Sequence, residues 1–255
     1  MEAGIRKFGT LYLGQDPVTP FFSTFTTIGG KDIRICDSLP DQEIEWVEYD
    51  GLLMARTPLL TRISFKDLAL RNLVLGETVH IDGKDYELRL LRGGRQAMPS
   101  EDDLWVQKIQ ADAGDIWILP ELHCWGCQYL KREEQSSLLE GALTALDDPS
   151  SPVWSSVFPL DTRSLSIGWR PVLEPMNLDP DDIPLGSRIL VYFANGSEIC
   201  GSLREVTDYD LVLSEWGSPK RDDTVSKICG RGLLVISREK IKQIRRDRRQ
   251  SGGSL

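Results

Sequence analysis

The chain has 255 residues, 30 of them Lys or Arg and 39 of them Asp or Glu, which gives a formal net charge of −9. A hydrophobic fraction of 40% and a charged fraction of 27% are typical of a folded protein with a substantial core. The acidic balance argues against a general nucleic-acid binder and against docking on an anionic membrane, because both need basic surface. Only two histidines are present, which excludes a His-rich metal site.

The sequence predicts no export signal and no membrane span. Residues 1–17 contain no apolar run of signal-peptide length, and no stretch approaches the roughly 18 apolar residues of a spanning helix. The five cysteines are scattered along the chain. Because their number is odd, one would stay unpaired even if all the others formed disulfides. We therefore expect reduced thiols, a cytoplasmic location and no membrane partner.

A segment rich in proline and aspartate divides the chain. Residues 174–184 hold three prolines and three aspartates, a composition typical of a linker because proline interrupts both helix and sheet. The predicted parts are a domain at 1–176, a linker at 177–184, a β-barrel at 185–246 and a flexible tail at 247–255. Residues 177–255 carry 13 basic and 12 acidic residues, so nearly all of the negative charge belongs to the first part.

The first part is predicted to be an α+β domain. In chain order we expect a turn at 29–33, a helix at 64–73, a hairpin with strands 78–82 and 85–90, a helix at 100–109 and a loop-rich segment at 141–165. The first helix is indicated by a capping box, in which Ser64 is the N-cap and Asp67 follows three residues later. The hairpin is indicated by alternating apolar and polar residues around Asp82-Gly83, a dipeptide typical of tight turns.

The C-terminal part is predicted to consist of short strands. These lie at 187–193, 197–204, 209–214, 232–237 and 241–244. Asn195-Gly196 predicts a two-residue hairpin turn, a polar excursion follows at 216–223, and the chain is expected to fray from Arg245 onward. Five short strands in about 65 residues favour a small closed barrel, because closure removes exposed sheet edges.

The predicted barrel contains a set of glycines and strand residues that recurs in a known family. They are Gly186 and the strand after it, Asn195-Gly196, Gly201, residues 208–213 and Arg231-Gly232. With them the segment resembles the Sm-like (Lsm/Hfq-type) fold, which implies ring-forming barrels and hence a homo-oligomer. RNA binding in that family relies on an Asn near the third strand. Asp208 and Asp210 lie there in this chain and repel phosphate, so we do not expect RNA as a partner.

A second resemblance covers the N-terminal part. It is carried by residues 81–94, Trp105 and the segment 168–174. These residues resemble an uncharacterised family of phages and prophages of Gram-positive bacteria, with C-type-lectin-like and formylglycine-enzyme-like modules. The resemblance implies a scaffold that displays binding loops. The formylglycine-generating activity needs a copper-binding cysteine pair, which we do not find, so that activity is not expected.

The main candidate for ligand binding is the segment Arg92-Gly93-Gly94-Arg95. Glycines let backbone amides approach a phosphate, and arginine forks bind phosphate oxygens in pairs. The segment lacks the P-loop Lys-Ser/Thr and the dinucleotide-binding spacing, so a plain loop after a strand is the alternative. Indoles beside arginines can stack on bases or sugars, which adds Trp105 and the pair Trp169-Arg170, with buried core side chains as the alternative.

The chain has one CxxC motif, formed by Cys124 and Cys127 beside His123. These three residues could ligate zinc, but a closed zinc site needs four ligands. A thioredoxin-like redox role would need the motif to open a helix in a βαβ unit, which the pattern does not indicate. Structural cysteines are the remaining interpretation, and no cofactor is expected.

No catalytic constellation is recognisable, and an enzyme is the least supported hypothesis. We predict a non-catalytic binding protein of phage or prophage origin that sequesters a small nucleotide-derived signal of antiviral defence in the cytoplasm of its bacterial host. Two alternatives stay open. One is a virion-associated glycan- or receptor-binding module, and the other is an RNA- or protein-binding regulator that uses the barrel.

Overall fold

The computed structural model describes residues 4–19, 32–49, 51–92, 102, 106–107, 123–134, 137–145, 154–220 and 225–247. At 128–134, 137–145, 154–157, 219–220 and 231 it describes the backbone alone. The chain forms two compact units, Met1–Glu174 and Pro175–Leu255. The described residues are mostly β-strand with few helices. None of the helices in this part of the chain has the length and hydropathy needed to cross a bilayer.

The described elements of the first unit build two β-sheets. In chain order they are β1 (Gly4–Leu13), β2 (Asp16–Pro17), β3 (Ile33–Cys36), β4 (Glu43–Tyr49), β5 (Leu52–Ala55), β6 (Leu60–Thr61), α1 (Phe65–Ala69), β7 (Glu77–Ile81), β8 (Lys84–Arg89), β9 (His123–Glu134), β10 (Ser137–Ala145), β11 (Trp154–Pro159), β12 (Ile167–Trp169) and β13 (Val172–Pro175). The larger sheet has the order β2-β1-β4-β5-β13-β8-β7, with β3 also paired to β1. The smaller sheet has the order β11-β10-β9-β12-β6.

The larger sheet packs around a buried indole. Trp46 on β4 donates its Nε1–H to the carbonyl of Phe8 on β1 at 3.0 Å. The next residue of β1, Gly9, forms a β-bulge with φ +69°. A Cβ atom at Gly9 would approach Ile35 and Ile81 to 3.2 Å, so both the backbone conformation and the space require glycine there.

The predicted capping box of α1 is confirmed. Ser64 Oγ accepts from the Asp67 N–H at 3.1 Å, and Asp67 Oδ2 accepts from the Ser64 N–H at 3.0 Å. Arg163 donates two further hydrogen bonds of 2.8 Å to the same carboxylate. The helix ends at Ala69, earlier than the predicted residue 73, because the chain turns through a left-handed conformation at Asn72.

The hairpin predicted at 78–90 is confirmed as β7 and β8. Asp82 and Gly83 both have positive φ, at 49° and 77°, as a two-residue hairpin turn of type I′ requires. Ser38 donates to the Asp82 carboxylate from its N–H at 2.9 Å and from its hydroxyl at 2.5 Å. The turn is therefore fixed to the segment that follows β3.

The loop-rich segment predicted at 141–165 is wrong in part. It contains the end of β10 and the whole of β11, which pair antiparallel. Pro149 and Pro152 lie between these strands, and Pro159 is the last residue of β11. Proline therefore marks the boundaries of the two strands without interrupting either ladder.

Two other expectations fall largely outside the described residues. Gly29, Gly30 and Lys31 of the predicted turn lie outside them, and Ile33 begins β3. Most of the helix predicted at 100–109 also lies outside them. Asp102, Val106 and Gln107 are described and are helical.

The second unit is built from one antiparallel sheet. Its described strands are β14 (Arg188–Phe193), β15 (Glu198–Val206), β16 (Asp210–Lys220), β17 (Ser226–Cys229), β18 (Leu233–Ser237) and β19 (Ile241–Arg246). The order is β17-β18-β16-β15-β14-β19. Alternate residues of β14, Ile189, Val191 and Phe193, are buried in the core of this unit. The five predicted strands are confirmed.

Several details of the second unit differ from the prediction. β16 continues to Lys220 and includes much of the predicted polar excursion, and β19 includes Arg245 and Arg246, which were expected to fray. β17 was not predicted, since its four residues include only one large apolar side chain, Ile228, which is exposed. The turn after Phe193 is longer than two residues, because β15 begins only at Glu198.

The predicted linker packs on the second unit. Leu178 donates its N–H to the Ile244 carbonyl at 2.9 Å, and Asn177 Oδ1 accepts from the Ile244 N–H at 3.3 Å. These bonds cover the outer edge of β19. Pro180–Asp182 forms a 3-10 turn, and Ile183 is buried in the core of this unit. Within the described residues, the strand pairs leave β17 and β19 as separate ends, so hydrogen bonds do not close the predicted barrel.

Candidate functional site

A buried arginine lies at the end of β8. Arg89 is 1% exposed. It donates to Asp102 through Nη1, 2.6 Å from Oδ2, and through Nη2, 3.2 Å from Oδ1. Nη2 also donates to Glu174 Oε2 at 3.3 Å, from β8 to the neighbouring strand β13. One guanidinium and two carboxylates therefore form a single ion network, called here the Arg89 network.

The Arg89 network is closed to solvent. The side chains of Asp102 and Glu174 are only 2% and 11% exposed. Burial by itself opposes the charge of Arg89, but the two carboxylates raise the pKa of Arg89 above its ordinary value. Removing one partner of a buried ion pair leaves an uncompensated charge, so the three side chains depend on one another for their stability.

Asp102 also joins the two ends of a chain segment. Its Oδ2 accepts from the backbone N–H of Arg92 at 2.7 Å, across ten sequence positions. Arg92 lies three residues after the end of β8, and Asp102 is helical. The two ends of the 92–102 segment therefore lie together, and the Arg89 network holds them in place.

Residues near the start of β9 lie beside the start of the 92–102 segment. Gly126 forms a parallel bridge with Leu91, and Cys127 donates its N–H to the Leu91 carbonyl at 2.8 Å. Burial raises the pKa of the Cys127 thiol, although Arg89 and Arg92 act in the opposite direction. The thiol is therefore protonated at neutral pH and adds no charge to the network.

Arg92 is exposed where the segment begins. Its backbone N–H is hydrogen-bonded to Asp102, so the side chain extends from a fixed backbone position at the surface. A guanidinium placed in this way suits the binding of an anion, because its N–H groups can grip two oxygens at once. The other predicted ligand-binding residues of this region, Gly93, Gly94, Arg95 and Trp105, lie outside the described residues.

The pair Trp169-Arg170 lies in the interior of the first unit. Trp169 is 0% exposed and belongs to the main hydrophobic core. Arg170 is also buried and donates through Nη2 to the Arg56 carbonyl at 3.2 Å. The structure therefore does not place this pair at the surface beside Arg92.

The CxxC motif lies at the start of β9. Cys124 is buried and Cys127 half-buried, and both are free thiols. His123 packs edge-on against Phe158 with ring centroids 5.3 Å apart, and burial lowers the pKa of His123. In the part of the chain that the structure describes, no group of three His, Cys, Asp or Glu side chains is arranged to hold a metal ion.

Sequence reasoning did not identify the three residues of the Arg89 network. One weak signal was present, since Arg89 lies among Leu88, Leu90 and Leu91, and a charge within an apolar run suggests a buried partner. The partners themselves were not recognisable. Glu174 lies 85 positions away along the chain, and only the pairing of β8 with β13 brings the two together.

Comparisons with protein-family models, with curated proteins and with solved structures find no match for this chain. The function of the site is therefore inferred from the chemistry of its own residues.

Proposed function

We propose that this chain is a non-catalytic binding protein that captures a small, nucleotide-like ligand through its phosphate at the 92–102 segment. The observation that carries the proposal is the hydrogen bond from the Arg92 N–H to Asp102, which is itself held by Arg89. A binding segment whose ends are held in place loses less conformational freedom when its ligand binds, so more of the contact energy appears as affinity.

The sequence of the segment fits a phosphate. Arg92 and Arg95 supply guanidinium groups, and Gly93-Gly94 between them lets backbone N–H groups approach an anion closely. Trp105, three residues after Asp102, is the aromatic side chain that we assign to stacking against a base. The first unit is acidic as a whole and repels phosphate. Only a pocket built around arginines would attract a phosphate there.

The resemblance to phage and prophage proteins supplies the biological setting of the proposal. A C-type-lectin-like domain would display the 92–102 segment as a binding loop, and the ligand would be a nucleotide-derived signal of the host's antiviral defence. Sequestering such a signal requires binding and no turnover, in keeping with the pairing of the charged groups of the Arg89 network with one another.

Titration calorimetry tests the proposal. The purified protein is titrated with cyclic nucleotides, ADP-ribose-type nucleotides and the corresponding nucleosides without phosphate. We expect heat with at least one phosphate-bearing ligand, no heat with its nucleoside, and a loss of at least about tenfold in affinity for Arg92→Ala. Arg6→Ala is the matched control, since Arg6 pairs with Glu48 at the surface of the same unit. Absence of heat with every nucleotide would overturn the proposal.

We propose that the second unit is an Sm-like barrel, which keeps an RNA- or protein-binding regulator as the second candidate function. Five of its strands have the order β18-β16-β15-β14-β19, in which the last strand of the chain, β19, pairs with the first, β14. This order supports a small, open barrel, since hydrogen bonds do not join β18 to β19. Self-association would follow from the same resemblance. Because residues 177–178 cover the edge of β19, strand pairing between copies would use the β17 side.

RNA retention and light scattering test this second candidate. The regulator predicts salt-dependent retention of RNA that disappears when Arg245 and Arg246 are replaced by Ser. Retention that is absent at low salt, or that survives the double substitution, would reject an RNA function of this unit. Light scattering of the full chain then tests self-association, for which a monomer at all concentrations is the contradicting result.

A further inference from the structure

We propose that residues 176–183, called here the strap, occupy a strand-binding edge of the second unit in place of an acidic, extended segment of another protein. This inference goes beyond the phosphate site and rests on contacts within the second unit alone. It names the class of partner for the protein-binding regulator that was kept as the second candidate function.

The outer edge of β19 is the surface that the strap covers. Ile244 pairs with Val191 of β14 on one side, and both of its backbone groups face the other side. Its carbonyl accepts from the Leu178 N–H at 2.9 Å, and its N–H donates to Asn177 Oδ1 at 3.3 Å. An edge with outward backbone groups pairs with other chains unless something covers it. The strap therefore blocks a position at which a further strand would add to the sheet.

The strap binds this edge with fewer backbone hydrogen bonds than a strand would. A paired strand supplies both a backbone donor and a backbone acceptor opposite a residue such as Ile244. The strap supplies the donor from the Leu178 backbone, but its acceptor is the side-chain amide of Asn177. The chain then leaves the edge in the 3-10 turn at Pro180–Asp182. A strand from another molecule would make the backbone bond that the Asn177 side chain replaces.

Charge and apolar contacts indicate what this edge accepts. The strap has three aspartates and no basic residue, whereas residues 238–246 have five basic residues and one acidic one. Arg238 donates to both oxygens of Asp181, from Nη1 at 3.1 Å and from Nη2 at 2.9 Å. Leu178, three positions earlier, packs against the core of the unit. The partner that fits is therefore an extended segment with Asp or Glu three positions after an apolar residue.

The contacts that hold the strap can be removed without disturbing the core. Asn177 is exposed, and the side chain of Asp181 is 62% exposed. Ile183, by contrast, is buried in the core and anchors the end of the strap. A tethered segment acts at an effective concentration in the millimolar range, so a free segment binds only where the strap is weakened. The strap thus acts as an autoinhibitory contact.

The test uses a fluorescently labelled synthetic peptide of residues 175–184 and the full chain. The double variant Asn177→Ala with Asp181→Ala should bind the peptide at least about tenfold more tightly than the wild type, because two strap contacts are lost. Hydrogen exchange of the Ile244 amide, followed by nuclear magnetic resonance, should be faster in the double variant and slow again once the peptide is bound. A peptide with Asp181→Asn should bind more weakly.

Asp182→Ala is the matched control, because it removes the same charge from the strap one position away from the partner of Arg238. This variant should bind the peptide as the wild type does. Equal peptide binding by the wild type and the double variant, or no binding by either, would overturn the inference. Unchanged exchange of the Ile244 amide in the double variant would overturn it too, since the strap would then not depend on these contacts.

Two further results would overturn the class of partner. Equal binding of the Asp181→Asn peptide would reject an acidic segment. Self-association of the double variant without peptide binding, measured by light scattering, would assign the edge to a second copy of this chain. None of these results bears on nucleotide binding at the 92–102 segment, so this inference and the proposed function fail separately.

Discussion

The backbone N–H of Arg92 donates to the Asp102 carboxylate at 2.7 Å, and this bond fixes both ends of the 92–102 segment to one buried network. The residue types of the segment are those we expect of a phosphate-binding loop, and the network holds its two described ends, Arg92 and Asp102, together. Binding residues are often carried by loops on a rigid scaffold, because the scaffold limits the conformations that must be lost on binding.

Replacing Asp102 should destabilise the first unit and weaken ligand binding together. Asp102→Ala leaves Arg89 buried with one remaining carboxylate, and breaking such a pair costs about 3–5 kcal/mol in the free energy of unfolding. Asp102→Asn, which keeps the size and one acceptor, should cost less. Urea denaturation measures both, with Asp85→Asn as a control that should unfold nearly like the wild type, because Asp85 is exposed on β8 and its surface pair with His80 contributes little. Equal stability of Asp102→Ala and the control would contradict the account.

The capping box of α1 should make stability depend on acid. Burial opposes the charge of Asp67, but hydrogen bonds from Arg163 and Ser64 hold the pKa of Asp67 well below its ordinary value of 3.8. A carboxyl with a depressed pKa stabilises the folded state above the ordinary value, and this contribution is lost as the pH falls toward the folded-state pKa. Between pH 5 and about 2.5, unfolding free energy should fall more steeply for the wild type than for Asp67→Asn. Parallel pH profiles of the two proteins would contradict this.

The two histidines should titrate on opposite sides of the ordinary value of 6.5. The hydrogen bond that the His80 ring donates to the Asp85 carboxylate raises the pKa of His80, whereas burial lowers the pKa of His123. Nuclear magnetic resonance can follow both rings, because the chain has only two histidines. Asp85→Asn should bring the pKa of His80 down and leave that of His123 in place. Two curves that coincide, or that move together in the variant, would disagree with the structure.

Gly201 on β15 should not tolerate a side chain. A Cβ atom there would lie 3.1 Å from Leu213 Cβ, Ser214 O and Trp216 Cβ. Crowding of this kind costs about 1–3 kcal/mol, so Gly201→Ala should lower the free energy of unfolding of the second unit. Gly230→Ala is the control, because no atom lies within 4 Å of the added carbon. If both variants unfold at the same urea concentration, the packing of β15 against β16 is not as described.

The sequence was informative where structure depends on neighbours along the chain. Ser64 and Asp67 are three residues apart, and Asp82 and Gly83 are adjacent, so their capping box and turn were predictable from local chemistry. The strands of the second unit were also predictable, because their alternating apolar residues face one core. β17 was missed since its residues are largely exposed and carry little periodicity.

The candidate site was predictable only in part for the same physical reason. The run from Arg92 to Arg95 indicated phosphate chemistry through its residue types alone. The Arg89 network that holds the ends of this segment consists of Arg89, Asp102 and Glu174, which meet only after β8 and β13 have paired. The burial of Trp169 likewise depends on packing of the first unit as a whole, and a Trp-Arg dipeptide carries no signal of its depth.

The most direct test of the central claim is a nuclear magnetic resonance titration of the isotope-labelled full chain with 3′,5′-cyclic AMP. We expect saturable shifts of the backbone amide signals of Arg92, Gly93 and Gly94, smaller shifts in Arg92→Ala, and no change in the amides of the second unit. Saturable shifts confined to other residues, with the amides of the 92–102 segment unmoved, would contradict the claim that this segment is the binding site.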